Sequence, residues 1–97
     1  MRPLVIRPEA EADIEEAFRW YEAQSPGLGP AFVRAVDACL AGIERHPELY
    51  AEQYRRARRV LLRRFPYAIF YVIQAESIDV VACFHVRRDP RRWQRRL

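Results

Sequence analysis

The sequence predicts an α+β fold: an N-terminal strand, a helical hairpin, then a three-stranded antiparallel meander, with the helices packed on one face of the sheet. Three observations carry this expectation. Apolar residues recur at helical spacing from Ala10 to Ile43, and the period falls to two from about Ala57. The later apolar runs are separated only by Phe65-Pro66 and Ala75-Glu76-Ser77, and such short breaks favour antiparallel hairpins over crossovers. At 97 residues, 51% of them apolar, the chain reads as one domain over 1–97, with a modest core and binding on a surface or shallow groove.

The elements follow in order. Leu4-Val5-Ile6 is a short strand closed by Pro8. Ala10, Ile14, Ala17, Phe18 and Tyr21 form the stripe of a first helix, with Glu9, Glu11 and Asp13 where the helix dipole favours anions. The Gly/Pro cluster Ser25-Pro26-Gly27-Leu28-Gly29-Pro30 is a tight turn, and Pro30 suits the first turn of a second helix. Phe32, Ala35, Val36, Cys39, Leu40 and Ile43 give that helix its stripe, and Arg45-His46-Pro47 ends it. Val60-Leu61-Leu62, Tyr67 to Ile73 and Ile78 to Val86 are the meander strands.

Hairpins centred on these breaks place Arg63 opposite Tyr67, Leu61 opposite Ile69 and Arg59 opposite Tyr71. They also place Tyr67 opposite His85, Ile69 opposite Cys83 and Tyr71 opposite Val81. Alternation then divides the sheet. Val60, Leu62, Ala68, Phe70, Val72, Val80, Ala82 and Phe84 form an apolar floor under the helices. Arg59, Arg63, Tyr67, Tyr71 and His85, among Leu61, Ile69, Val81 and Cys83, form the candidate working surface.

Charge is divided unevenly along the chain. Residues 1–50 hold 5 Arg and 9 acids; residues 51–97 hold 12 Arg and 4 acids, and none of the 17 bases is Lys. The windows 55–64 and 87–96 hold 12 of the Arg and a single acid, Asp89, which points to an anionic partner. Arg63 and Arg64 are expected beside Arg87 and Arg88, with Tyr67 between them. Internal pairing to Glu44, Glu48, Glu52 or Asp89 is the structural alternative.

Cys39 and Cys83 sit in apolar runs and read as small core residues, with no disulfide and no zinc spacing. No metal or cofactor is expected. The N-terminus lacks the apolar segment of a signal peptide, and no stretch approaches a membrane span, so the cytoplasm is the expected compartment and no membrane partner is expected.

Two segments carry a resemblance: Arg59-Val60-Leu61-Leu62-Arg63-Arg64-Phe65-Pro66-Tyr67-Ala68-Ile69-Phe70-Tyr71, and Val80-Val81-Ala82-Cys83-Phe84-His85-Val86-Arg87-Arg88-Asp89-Pro90-Arg91-Arg92-Trp93. Together with the element order, they resemble the RelE/ParE superfamily of bacterial type II toxins, the plasmid stabilisation proteins. The Phe-Pro-Tyr turn and the His-x-Arg-Arg-Asp-Pro tail lie on the ParE-like side, and Val86 departs from the small residue often found there. The resemblance implies a growth-inhibiting toxin held in a hetero-oligomer by a cognate antitoxin with an acidic C-terminal segment. It implies further that the toxin blocks replication by binding DNA gyrase, without chemistry of its own. The alternative it offers is a RelE-like, metal-free endoribonuclease acting on mRNA at the ribosome. A third reading is a non-toxic basic module that binds antitoxin or nucleic acid.

Cleavage of RNA needs a base, an acid and stabilisation of the phosphorane. Under that alternative His85, Arg63 and Arg87 or Arg88 are the candidates, with Tyr67 and Tyr71 as lesser proton donors. RelE-like nucleases, as the resemblance implies, use a Tyr near the C-terminus, and this chain has none after Tyr71. His85 also reads as a strand histidine bridging a Tyr hydroxyl and backbone. The surface for target or antitoxin is expected at Arg59, Arg63, Arg64, Tyr67, Tyr71, Arg87, Arg88, Arg91, Arg92 and Trp93. Trp93 is the one large apolar anchor of the basic tail, and is expected to pack on the domain. An exposed Trp20 would mark a protein contact.

Overall fold

The computed structural model describes residues 2–97. Its elements are β1 (Leu4–Ile6), α1 (Pro8–Gln24), α2 (Leu28–Arg45), β2 (Glu52–Tyr54), β3 (Ala57–Leu61), β4 (Tyr67–Ile73), β5 (Ile78–His85) and α3 (Arg91–Gln94). Pro8 opens α1 rather than merely closing β1, because the first helical residue has no use for an N–H and its fixed φ suits the helix. The hairpin is tight. Gly27 has φ +93, and a Cβ on Gly29 would meet the Phe18 ring at 2.8 Å. The start of α2 has no side-chain cap of its own, so the Glu22 carboxylate of α1 reaches across and accepts the Gly27 and Gly29 N–H groups at 3.0 and 2.9 Å.

The sheet has five strands in the order β1-β5-β4-β3-β2, with β1 parallel to β5 and the remaining pairs antiparallel. The expected three-stranded meander is present as β3-β4-β5. It is extended by β2, an edge strand turned back onto β3 through Arg55, whose φ is +54. Three residues, two of them polar and exposed, give no alternation from which β2 could be read.

Two expectations about register and faces are corrected. Arg59 pairs with Phe70, Val60 with Ile69 and Leu61 with Ala68, one residue away from the predicted register. The cause is the turn. The Leu62 N–H donates to the Tyr67 carbonyl at 2.9 Å, so four residues, 63–66, lie between the strands where three were expected, and Arg64 takes φ +71. A slip of one residue moves a whole strand's side chains to the other face. Between β4 and β5, Tyr67 faces His85 and Ile69 faces Cys83 as predicted, but a bulge then pairs Tyr71 with Val80 instead of Val81. The extra residue resets the alternation, so Val80 and Cys83 share one face while Val81 and Ala82 share the other.

The faces are therefore largely exchanged. The floor under α1 and α2 is Val60, Leu62, Ile69, Tyr71, Ile78, Val80 and Cys83, with Tyr67 at its margin. Of the residues predicted there, Val60, Leu62 and Val80 remain. Ala68, Phe70, Val72, Ala82 and Phe84 lie on the opposite face, beneath α3 and its Trp93. Under the helices, Tyr21, Phe32, Phe65 and Tyr67 pack as a ring cluster with centroids 4.9 to 6.0 Å apart. Among the described residues, no helix is long and apolar enough to cross a membrane.

Candidate functional site

Of the sequence-predicted residues, Arg59, His85, Arg88 and Trp93 border the face that the helices leave open. Phe70 and Phe84 form its floor, and Trp93 lies flat on Phe70 with ring centroids 4.1 Å apart and is 3% exposed. Beside Trp93 a groove of about 220 Å³ is bordered by Arg59, Arg88, Gln53 and Gln94. The Arg88 guanidinium stands 4.2 Å from the centre of the Phe84 ring, a cation–π contact that leaves its N–H groups free for an anion. Among the described residues, no ion pair engages Arg59, Arg63, Arg64, Arg87, Arg88 or Arg92. Arg91 differs: it grips Asp89 at 2.8 Å, and that pairing holds the Asp89 carboxyl below its ordinary range.

The tail that carries Trp93 is held by a residue the sequence reading assigned only to the helix dipole. β1 pairs with β5 no further than Val80, so the outer edge of β5 beyond it has no strand partner among the described residues. The Asp13 carboxylate accepts the Cys83 N–H there at 3.0 Å. Arg96 donates to the Val81 carbonyl at 3.0 Å and grips both Asp13 oxygens, at 2.6 and 3.1 Å. A side chain from α1 and one from the tail thus replace a missing strand, and the Asp13 side chain is 8% exposed. The signal was available in the sequence: Asp13 falls at i+3 from Ala10 and i−4 from Ala17, on the buried stripe.

The remaining predicted residues go elsewhere. The turn between β3 and β4 meets the end of β5, with the Val86 N–H donating to the Pro66 carbonyl at 2.9 Å. The side chains part there, however. Arg63 and Arg64 border a second groove beside α2, with Arg34 and Arg45, whereas Arg88 turns to the tail face. Tyr71 is fully buried, and its hydroxyl donates to the Pro47 carbonyl at 2.5 Å; burial pushes its pKa up to about 12, so it stays a protonated donor. Tyr67, half-buried beside Tyr21 and Phe32, is also raised, mainly by burial and then by the neighbouring Tyr21. Burial raises the Cys39 and Cys83 thiols to about 11 and about 12, consistent with inert core residues.

His85 sits at the end of β5, where it borders both the tail groove and a groove beside α1 that also holds Trp20 and Tyr67. Its ring packs edge-on to Tyr67 at 5.3 Å, and its Nδ1 accepts the Arg87 N–H at 3.1 Å. Only Nε2 is left for another partner. Among the described residues it is the one imidazole, carboxyl, phenol, amine or thiol bordering the tail groove. The arrangement thus sets unpaired guanidiniums over an aromatic floor, with His85 beside them as a group of the kind that transfers protons. Trp20, 57% exposed, adds a large apolar surface on the α1 side.

Comparison with known proteins agrees with this architecture. Residues 4–90 match the family described as the ParE toxin of the type II toxin–antitoxin system parDE. Toxin ParE2 of Mycobacterium tuberculosis, in strains CDC 1551 / Oshkosh and ATCC 25618 / H37Rv, is 30% identical over 90 residues, which span 92% of this chain and 86% of that protein. A chain from the chromosomal ParDE TA system of P. aeruginosa shares the fold, with a TM-score of 0.68 at 14% identity, covering 88% of this chain and 96% of that one. The chain belongs to the ParE toxin family of type II toxin–antitoxin systems.

Proposed function

We propose that this toxin acts by binding rather than by chemistry, blocking replication through DNA gyrase, and that an antitoxin with an acidic C-terminal segment neutralises it. The observation that carries the reading is the composition of the open face: unpaired arginines over aromatic rings, with His85 as the single proton-transfer group and its Nδ1 already engaged. A metal-free nuclease needs both a base and an acid at the scissile phosphate. Tyr71 is buried and committed to Pro47, and Tyr67 borders the α1-side groove rather than the arginine-lined tail groove, so neither supports that role beside the unpaired arginines. Arg59, Arg88 and Trp93 suit a surface that recognises acidic groups by bidentate pairing and apolar contact.

Two assays test the proposal side by side: purified toxin with gyrase and supercoiled plasmid, and toxin in a translation extract with a defined messenger. Loss of gyrase activity with intact messenger is expected, and His85→Ala is expected to retain it. Cleavage of the messenger that disappears in His85→Ala would establish the endoribonuclease reading instead. Inactivity in both assays, with no growth defect on expression, would leave a non-toxic binding module.

A further inference from the structure

We propose that the groove beside α1 is a cage for a cation, and that it takes an arginine side chain displayed by the toxin's protein target. This deepens the reading of a toxin that acts by binding, and rests on that reading for the identity of the partner. Charge, wall and floor each point to the same ligand.

The first observation is a reversal of charge. Three other grooves on the surface are each bordered by two or more arginines. The α1 groove, of about 410 Å³, is bordered by none, and with His85 neutral its only charged side chain among the described residues is Glu16. No ion pair engages Glu16 among the described residues, and the neighbouring Arg19 is taken by Glu15. On a molecule of net charge +4, this groove therefore selects a partner group of the sign that the rest of the surface repels.

The second is the wall, a chain of four rings. Trp20 stands edge-on to Tyr21 at 5.1 Å, Tyr21 lies at 61° to Tyr67 at 6.0 Å, and Tyr67 meets His85 edge-on at 5.3 Å. Rings turned steeply against one another make a bent surface rather than a flat stack, and their faces attract cations. Trp20 offers the strongest such face, and 57% of its surface is exposed.

The third is the spacing on α1. Glu16 and Trp20 are four residues apart and so share one side of the helix, while Ala17 between them is small and buried and leaves the floor of the groove low. A planar guanidinium laid on the Trp20 indole can thus present its N–H fork to the Glu16 carboxylate, which a lysine ammonium cannot do with the same fit. Pro66, Tyr67 and His85 close the far side without supplying charge. A tryptophan in a concave site facing an arginine is the pairing that carries the most energy in protein contacts.

The test uses the full-length toxin in two arms. In the first, a capped glycine-arginine-glycine peptide is titrated while the Trp20 indole and the toxin amides are followed by NMR. Saturating shifts at Trp20, Ala17 and Tyr67 are expected in the range of about 1–10 mM, with the uncharged citrulline peptide at least about fivefold weaker. Glu16→Gln should weaken the arginine peptide at least about fivefold, whereas Glu15→Gln, which removes the same charge one residue away, should do so less than about twofold. In the second arm, Trp20→Ala/Glu16→Gln should raise the toxin concentration needed for half-inhibition of gyrase at least about tenfold. Both positions are exposed, and an unchanged melting midpoint checks that the fold is intact.

Equal binding of the arginine and citrulline peptides, or no shift at Trp20, would overturn the cage. Arginine-selective binding with undiminished gyrase inhibition by the double variant would overturn the assignment to the target and leave the gyrase reading intact. A toxin without effect on gyrase, with the arginine peptide still selective, would overturn the gyrase reading and keep the cage. Self-association of the toxin that is lost in the double variant would assign the arginine to a second copy of this chain, and so overturn the target as its source.

Discussion

The two faces of the sheet are almost equally apolar but are covered in different ways. On one, two helices of 17 and 18 residues lay down a ring cluster and bury Tyr71 with its hydroxyl satisfied. On the other, a single turn of four residues presses Trp93 onto Phe70 and is tied back through Arg96 to Asp13. The first cover is continuous with the core. The second is a patch with one aromatic anchor and one ion pair, and the unpaired arginines Arg59 and Arg88 stand at its margin. The two covers should therefore differ in stability: the helix side is expected to open only by unfolding, and the tail side to open locally.

The sharpest way to break that comparison is to remove one ring from each face. Phe32→Ala, fully buried among three other rings, should cost about 3–5 kcal/mol of global stability, read as a fall in the denaturant midpoint. Trp93→Ala should cost less than half as much globally, while amides of residues 91–97 lose exchange protection. Equal global costs would show that the tail is part of the same cooperative core.

Next in size is the clasp. Asp13→Ala leaves the Cys83 N–H unpaired and Arg96 without its carboxylate, and should cost about 2–3 kcal/mol. Adding Arg96→Ala to that variant should cost only about 0.5 kcal/mol more, since the pair acts as one unit. Independent, additive losses would mean that the tail is held by Trp93 alone. Tyr71→Phe probes the helix side at a single atom: it strips the Pro47 carbonyl of its donor and should cost about 1–2 kcal/mol, without changing exchange in the tail.

The smallest effect is a pH dependence at the β1 edge. Asp79 is held below the ordinary carboxylate range, first by the Ser77 hydroxyl at 2.7 Å and then by Arg7 at 3.0 Å. A depressed folded-state pKa gives stability that is present above the unfolded value, near pH 4, and is lost as pH falls through the folded value. Asp79→Asn should therefore flatten the acid limb of a stability profile below about pH 4 and cost under about 1 kcal/mol at neutrality. A flattened limb above pH 5 would assign the dependence to another group.

Much of the fold was legible from side-chain period alone. Both long helices, β1, β4 and β5 lie where apolar spacing and the Gly/Pro cluster put them. The faces were not legible, because β4 offers Tyr67, Ile69 and Tyr71 on one side and Ala68, Phe70 and Val72 on the other, and both sets are apolar. A strand buried on both sides carries no sequence record of which side meets the helices. The arginine clusters were visible as well, but their placement on separate grooves was not, since it turns on one extra residue in the 63–66 turn.

The sequence by itself therefore determined the order of the elements other than β2, the helical hairpin and the concentration of arginine in the second half, all properties of local period and composition. Only the tertiary structure decided the five-strand order, the exchange of faces and the Asp13–Arg96 clasp. Those depend on turn length, on a bulge and on partners far apart in the chain, and a one-residue change in any of them re-aims every side chain beyond it.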